Sequence, residues 1–183
     1  MSRVGPALVL AAVLGWLPAR LPAASLLVCY NFGCRNEAAV NLDDTALADM
    51  ERVLAYALDA DDERVALSGV LARLYRWAGR FTPIASDLGG NDRDTDLDGR
   101  MDCIDHSTTT TRMLALLAAD GVLRFHEPGE PAWRRRWLLF EHRTAVIRAR
   151  DGGDYAVDTW FRDHGEPAVI MPLSKWMSGG GDE

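Results

Sequence analysis

Basic residues are scarce in this sequence. Twenty lysines and arginines stand against 27 aspartates and glutamates, which gives a formal net charge of −7 at pH 7. Nucleic-acid binding depends on basic side chains that neutralise phosphates, so an acidic chain is a poor candidate for that function. The sequence also lacks any internal repeat. Its 183 residues, 48% of them hydrophobic, are enough for one globular domain with a substantial core.

A long hydrophobic run is missing as well. The most apolar stretch, residues 4–17, is shorter than the roughly 20 residues that a membrane-spanning helix needs. Arg3 precedes it and LPARLPAAS follows, the pattern of a secretory signal peptide cleaved near Ala23–Ser25. We therefore predict a signal peptide over residues 1–24, one domain over 25–177 and a flexible tail over 178–183. Cleavage leaves 18 basic and 27 acidic residues, a net charge of −9, in a periplasmic or secreted protein with no stable membrane span.

Cysteine is also rare. Cys29 and Cys34 are close together in CYNFGC and predict a small disulfide in an oxidising compartment. Val28 precedes Cys29 where a lipoprotein signal would have a small residue, so lipidation is not expected. Cys103 is left over, and an odd thiol in a secreted protein indicates intermolecular pairing or a reactive cysteine.

Carboxylates crowd the stretch DTDLDGRMDCID around Cys103. Counted from Asp94, they occupy positions 1, 3, 5, 9 and 12, with Gly99 at position 6. This is the spacing of an EF-hand calcium loop, in which position 7 contributes its backbone carbonyl. The preceding residues 81–93 contain a proline and two glycines, which disfavour an entering helix. We predict an EF-loop-like Ca²⁺ site whose ligands are Asp94, Asp96, Asp98, Arg100, Asp102 and Asp105.

The same stretch predicts a helix that begins at Cys103 and ends at Ala119. A helix N-terminus carries partial positive charge and unsatisfied N–H groups, a setting that favours thiolate and lowers the pKa of a cysteine. Cys103 is therefore a candidate nucleophile. The alternative is a buried, inert cysteine after an acidic turn.

The remaining pattern predicts an α+β domain. Apolar stripes predict helices over residues 42–60 and 62–78. Strands are expected over 122–126, 138–150, 155–161 and 168–171, with a turn over 127–131 and a hairpin signal at 151–154. The basic run at 133–137 suggests a solvated face, or a rim for an acidic substrate. Helices followed by an antiparallel sheet are typical of the α+β class.

A nucleophilic cysteine needs a base and a group that orients the base. His142 and Asp158 lie on consecutive predicted strands and could supply both. Because side chains alternate with period 2, the two share a face only if the hairpin has a bulge or a loop longer than two residues. His106 and His126 are competing bases, ranked lower because neither has an acidic residue at strand-pair spacing.

These residues carry a resemblance. Asp102-Cys103-Ile104-Asp105 resembles the D-C-x-D motif of bacterial transglutaminase-like cysteine proteinases. The segment HRTAVIRARDGGDYAVD resembles the superfamily's His-strand-turn-strand-Asp segment, and the similarity covers roughly residues 94–161. It implies a papain-like α+β fold over 25–177, with the nucleophile helix packed on an antiparallel sheet and a Cys103–His142–Asp158 triad that hydrolyses an amide bond. Related periplasmic proteinases use a calcium ion near the active site and trim surface adhesins, so a protein or peptide substrate, such as a cell-surface protein, is expected.

Three alternatives remain open. The chain could be a non-catalytic secreted calcium-binding module, a transamidase using the same triad, or a peptidoglycan-directed amidase. Asp158 argues mildly against the amidase, because such enzymes usually orient the base with a second histidine. For an oxyanion, the backbone N–H of Cys103 is a natural donor. Candidates for a second donor are Asn91, Tyr75 and Trp77.

Overall fold

The computed structural model describes residues 24–91, 96–136 and 140–181. Residues 1–23 of the predicted signal peptide, the predicted calcium ligand Asp94 and the last two residues of the predicted tail lie outside these ranges. Within them, no helix combines the length and apolar composition that crossing a bilayer requires.

Helices and two antiparallel sheets make up the fold, which confirms the α+β class. A two-stranded sheet pairs β1 (Ser25–Tyr30) with β2 (Asn36–Asn41). Four strands form the main sheet in chain order: β3 (His126–Arg136), β4 (Phe140–Ala149), β5 (Asp154–Asp158) and β6 (Val169–Pro172). The helices are α1 (Asp44–Ala55), α2 (Ala60–Ala78), α3 (Cys103–Ala119) and α4 (Leu173–Met177), with a 3₁₀ turn at Pro83–Ser86.

Helix α3 is central, and its predicted bounds are confirmed. It packs against β1 and against the main sheet. Its threonine-rich second turn is held by tertiary contacts, since Thr109 Oγ1 accepts the Cys29 N–H at 3.0 Å and Thr110 bonds the Tyr75 hydroxyl at 2.9 Å. Met113, further along the helix, is fully buried in the core.

The first helix is shorter than predicted. α1 ends at Ala55, and Asp59 then caps a second helix by accepting the Asp62 N–H at 2.8 Å. An aspartate in extended conformation satisfies the open N–H groups of a new helix better than it continues an old one. The five predicted helical residues after Ala55 therefore belong to a turn and the start of α2.

The turn predicted at residues 127–131 is wrong, because β3 runs through it. Pro128 and Pro131 are compatible with a strand here since β3 lies at the edge of the sheet, where one side needs no ladder hydrogen bonds. A register shift between Gly129 and Ala132 absorbs the irregularity. The basic run that follows is also part of this strand, and Arg134 in it is buried.

The hairpin from β4 to β5 has the longer loop that was predicted. Arg148 pairs with Asp154, which leaves residues 149–153 as the connection. Ala145 pairs with Val157, so Asp158 follows opposite Thr144. Thr144 and His142 are two residues apart on one strand, and Asp158 therefore lies on the same face as His142.

The disulfide between Cys29 and Cys34 is present, and Cys103 is free, as predicted. The bond closes the turn between β1 and β2. Asn31, Phe32, Gly33 and Cys34 all adopt left-handed backbone conformations there, with φ between 54° and 69°. Non-glycine residues rarely do so, and the disulfide helps to hold the turn in this shape.

The C-terminal segment packs on the domain beyond the predicted boundary at residue 177. The indole of Trp176 in α4 is completely buried, and the Arg134 guanidinium lies 4.2 Å from its ring centre. Arg134 also donates a hydrogen bond to the Gly180 carbonyl at 3.0 Å. The part of the tail that is described, up to residue 181, is therefore attached rather than separate.

Candidate active site

Cys103 is the first residue of α3 and lies beside an open stretch of β4. Its Sγ is 3.9 Å from the Glu141 carbonyl oxygen, and the Arg143 N–H donates to it. The backbone N–H and C=O groups of the odd-numbered residues of β4 point towards β5, as the hydrogen bond from the Ala149 N–H to the Gly153 carbonyl indicates. The ladder with β5 ends at the Ala145–Val157 pair. The thiol therefore occupies the place where β5 would have continued.

The His142 and Asp158 side chains form a close pair. Nε2 of His142 is 2.6 Å from Oδ2 of Asp158. The carboxylate is 1% exposed, and two further donors fix it: the Trp160 N–H bonds Oδ1 at 3.1 Å, and the Trp176 indole N–H bonds Oδ2 at 2.7 Å. Asp158 thus holds the imidazole in one orientation, with Nε2 facing the carboxylate.

Aromatic rings surround the imidazole of His142. The ring centres of Trp160, Phe161 and Trp176 lie 4.8, 4.9 and 5.4 Å from that of His142. The remaining nitrogen, Nδ1, is buried and has no hydrogen-bond partner in the described part of the chain. Nδ1 is therefore the ring atom left to accept a proton if His142 acts as a base, and Nδ1 of His164 is likewise buried without a partner among the described residues.

The electrostatics of Cys103 differ from the expectation of a lowered pKa. Burial, reinforced by the negative charges of Asp102 and Asp158, raises the pKa of Cys103 to about 11, although the N–H and charge of Arg143 act in the opposite direction. The partial positive charge of the helix N-terminus does not offset this rise in pKa, because the Asp102 carboxylate caps the helix by accepting the Ile104 and Asp105 N–H groups. The thiol is therefore protonated at neutral pH, and a base would have to remove its proton for the sulfur to react as a thiolate.

The turn between β1 and β2 forms hydrogen bonds with residues of the predicted calcium loop. Oδ1 of Asp98 accepts the side-chain amide of Asn31 at 2.9 Å, and the carbonyl of Arg100 accepts the Asn31 N–H at 2.7 Å. Asn31 also receives the Gly99 N–H on its own side-chain oxygen at 2.8 Å. Asp96 is exposed.

The last two predicted ligands are engaged in the same way. Asp102 Oδ2 accepts the Gly33 N–H at 2.9 Å, and the two oxygens of Asp105 accept the Phe32 and Cys34 N–H groups at 2.7 and 2.6 Å. Asp102 and Asp105 also form the capping box of α3. Burial and the neighbouring Asp102 raise the pKa of Asp105 to about 6.

The described residues of this loop do not fit a calcium ion held by all of them, because N–H groups already bond an oxygen of Asp98, Arg100 and Asp102 and both oxygens of Asp105. The described ranges contain one group of three close potential metal ligands, Cys29, Cys34 and Glu37, and its two cysteines are joined in the disulfide. The calcium site remains a prediction, and no chemical step below depends on it.

His106, the first competing base, has an acidic partner that the sequence pattern did not indicate. Its Nε2 lies 2.9 Å from Oδ2 of Asp87, and its Nδ1 lies 2.9 Å from Oγ1 of Thr159. Asp87 lies in the loop before α3, so no strand spacing relates it to His106 in the sequence. Both ring nitrogens of His106 are engaged, and the residue is 4% exposed. Neither nitrogen is therefore available to accept a proton from Cys103.

The second competing base, His126, is equally committed. It is fully buried, with Nδ1 3.4 Å from Glu63 and Nε2 3.0 Å from Arg64. Glu63 also accepts the N–H groups of residues 124 and 125, and these bonds together with His126 lower its pKa against the effect of burial. This cluster joins α2 to the start of β3 and includes no residue of the predicted triad.

The candidates for a second oxyanion donor already have partners. The Tyr75 hydroxyl is buried among Thr110 and Thr159, and the Trp77 indole donates to the Asn41 carbonyl at 3.0 Å. The Asn91 amide donates to Asp87 at 2.9 Å and to the Leu88 carbonyl at 3.0 Å. The backbone N–H of Cys103 remains the predicted donor.

Sequence reasoning missed Trp176 and Trp160, which complete the surroundings of His142 and Asp158. Trp160 could have been suspected, since it is two residues after Asp158. Trp176 gives no such signal, because a short helix near the C-terminus brings it back over the sheet.

Comparison with known proteins yields no match of this chain to a protein-family model, to a curated protein or to a solved structure.

Proposed function

We propose that the protein is a transglutaminase-like cysteine peptidase, which hydrolyses an amide bond with Cys103 as nucleophile, His142 as base and Asp158 as orienting group. One observation carries the proposal: the 2.6 Å pair of His142 and Asp158 leaves the buried Nδ1 without a partner among the described residues, on a strand whose flanking backbone groups, the Glu141 carbonyl and the Arg143 N–H, contact the Cys103 sulfur. The D-C-x-D motif and the resemblance of the 142–158 segment support it, and a papain-like arrangement is part of the proposal.

The mechanism starts from a neutral thiol, because the pKa of Cys103 is raised to about 11. Nδ1 of His142 takes the thiol proton as Sγ attacks the carbonyl carbon of the substrate. Asp158 keeps the Nε2–H directed at itself and stabilises the imidazolium that forms. The backbone N–H of Cys103 is the proposed donor to the developing oxyanion.

Collapse of the tetrahedral intermediate completes the first half of the reaction. The imidazolium of His142 gives its proton to the leaving amine, which leaves an acyl thioester on Cys103. His142 then removes a proton from water as the water attacks the thioester. The C–S bond breaks and releases the acid, and His142 returns the proton to Cys103. An amine in place of water would give the transamidation outcome, so product analysis with an added amine distinguishes the two reactions.

The proposed location is the periplasm or the exterior of the cell, and the proposed substrate is a protein or peptide. The disulfide Cys29–Cys34 supports an oxidising compartment. The half of β3 and β4 nearest to the thiol carries an exposed Trp133 and the arginines Arg135 and Arg143, which pair with Glu141. These side chains form an edge against which an extended substrate could lie.

A peptide-mixture digest tests the function. The mature protein is incubated with a proteome-derived peptide library, and new termini are identified by mass spectrometry alongside labelling of Cys103 with a thiol-directed electrophile. Cleavage is expected to disappear in Cys103→Ala and in His142→Gln. His164→Gln is the matched control, since His164 is a half-buried histidine outside the triad. Cleavage that persists without Cys103, or is lost equally in His164→Gln, would overturn the proposal.

A further inference from the structure

The two sulfurs of the disulfide have different surroundings. Cys29 is completely buried, whereas Cys34 is half-buried and borders the exposed Gly33. The guanidinium of Arg112, on α3, lies 3.2 Å from Cys29 Sγ and is held there by an ion pair with Glu37 at 2.7 Å. An attacking thiolate can reach Cys34 first. The sulfur that would leave, Cys29 Sγ, lies beside the Arg112 guanidinium and also 3.5 Å from the Glu37 carboxylate that pairs with it.

We propose that the Cys29–Cys34 bond is a thiol–disulfide exchange site for a dithiol reductant, and that its redox state controls the order of the first turn of α3. This inference does not depend on the peptidase reaction. Where that reaction holds, the exchange site regulates it.

The exchange follows from this geometry. A thiolate of the dithiol attacks Cys34 Sγ, the S–S bond breaks, and Cys29 leaves as a thiolate beside Arg112. The second thiol of the reductant attacks the mixed disulfide and releases Cys34. The dithiol is oxidised to a disulfide and gives up two electrons and two protons, which leave Cys29 and Cys34 as thiols.

The turn that the disulfide closes is bonded directly to the start of α3. Phe32 and Cys34 donate their N–H groups to Asp105, and Gly33 donates to Asp102. These two aspartates are the capping box on either side of Cys103. Hydrogen bonds to charged carboxylates are among the stronger ones in proteins.

Reduction would weaken this connection. Asn31, Phe32 and Cys34 are non-glycine residues with positive φ, a conformation they leave when the constraint is removed. The N–H donors then move away from Asp102 and Asp105. The helix start at Cys103 loses its external support, while the rest of α3 stays in the core.

The first test measures the rate of reduction by dithiothreitol, with thiols trapped by an alkylating reagent and counted by mass spectrometry. Arg112→Gln is expected to slow reduction on the order of threefold, because the departing thiolate loses its counter-charge. Arg112→Lys should retain most of the rate. Arg35→Gln is the matched control, since it removes the same charge next to Cys34 instead. Equal rates in all variants, or equal slowing by Arg35→Gln, would overturn the assignment.

The second test measures hydrogen exchange of the backbone in the oxidised and the reduced wild type. Protection of residues 103–106 is expected to fall about tenfold on reduction, the equivalent of one charged hydrogen bond, while residues 113–117 keep theirs. A Cys29→Ser/Cys34→Ser variant should match the reduced protein. Unchanged protection, or loss of protection along the whole helix, would overturn the coupling. Neither test uses hydrolysis, so a redox-responsive but inactive protein would refute the proposed function alone.

Discussion

Asp158 and Thr159 are neighbours in sequence, yet their side chains belong to two different hydrogen-bond networks. Oδ2 of Asp158 lies 2.6 Å from Nε2 of His142, whereas the Thr159 hydroxyl lies 2.9 Å from Nδ1 of His106 and 3.3 Å from the Tyr75 hydroxyl. Asp158 is the last residue of β5, and Thr159 follows it directly. The position of the Asp158 carboxylate is consequently tied to the buried contacts of α2 and α3.

Replacement of Asp158 by asparagine tests the orienting role. An amide has no charge to stabilise the imidazolium and can hold the wrong tautomer, so kcat is expected to fall about 10²- to 10⁴-fold with little change in KM. Asp154→Asn on the same strand is the control, because its ion pair with Arg148 is exposed and contributes little. A kcat loss smaller than about tenfold in Asp158→Asn would contradict the assignment.

The raised pKa of Cys103 predicts a particular pH dependence. Only the thiolate reacts with iodoacetamide, and a pKa of about 11 leaves it a minor species at neutral pH. In His142→Gln, the alkylation rate should therefore rise about tenfold per pH unit between roughly pH 8 and 10. The disulfide removes Cys29 and Cys34 from the measurement. A rate that levels off near pH 7 would show a thiolate already formed.

The indole N–H of Trp176 is expected to support the base rather than to bind substrate. Trp176→Phe keeps a ring over His142 but removes the 2.7 Å bond to Asp158. We expect kcat to fall roughly tenfold, the effect of one hydrogen bond to a charged acceptor, with KM unchanged. Tyr56→Phe is the control on an exposed surface. A change in KM alone would place Trp176 in substrate binding instead.

The buried pair of Asp87 and His106 should contribute mainly to stability. Asp87→Ala leaves the Nε2 of His106 and the N–H of Met101 without partners, so the free energy of unfolding should fall by about 3 kcal/mol. Urea denaturation measures it. The exposed pair of Asp49 and Arg52 provides the comparison, and Asp49→Asn should cost less than about 0.5 kcal/mol. Similar losses for both variants would argue that the buried pair is not structural.

Calcium titration tests the loop pattern against the hydrogen bonds that fill it. We expect added Ca²⁺ or a chelator to leave the melting temperature and Cys103 alkylation unchanged, because an ion would first have to displace the N–H groups bonded to Asp102 and Asp105. A saturable rise in melting temperature that disappears in Asp96→Ala/Asp98→Ala would instead support the site that the spacing predicts.

Local patterns predicted the parts of the site that depend on local chemistry. The bounds of α3 were predicted from the loop pattern around Cys103, and the cap formed by Asp102 is the physical reason for its start. The shared face of His142 and Asp158 follows from strand parity. The disulfide follows from two cysteines that are close in sequence.

Long-range packing set the features that sequence could not predict. The prolines of β3 were interpreted as a turn. They fit a strand because β3 lies at the edge of the sheet, and an edge position is a property of the whole sheet that the local sequence does not report. The same holds for Trp176, which reaches Asp158 from a short C-terminal helix. The direction of the Cys103 pKa shift depends on burial, and no residue spacing reports burial.

The early end of β5 has a consequence for the variation this fold tolerates. Extending the strand past Asp158 along β4 would satisfy the backbone groups of Glu141 and Arg143, and it would close the space in which the Cys103 sulfur lies. Regular pairing at this edge and a thiol at the backbone groups of Glu141 and Arg143 are thus mutually exclusive. Substitutions near residues 159–161 that favour strand continuation should stiffen the sheet and also displace the Cys103 sulfur.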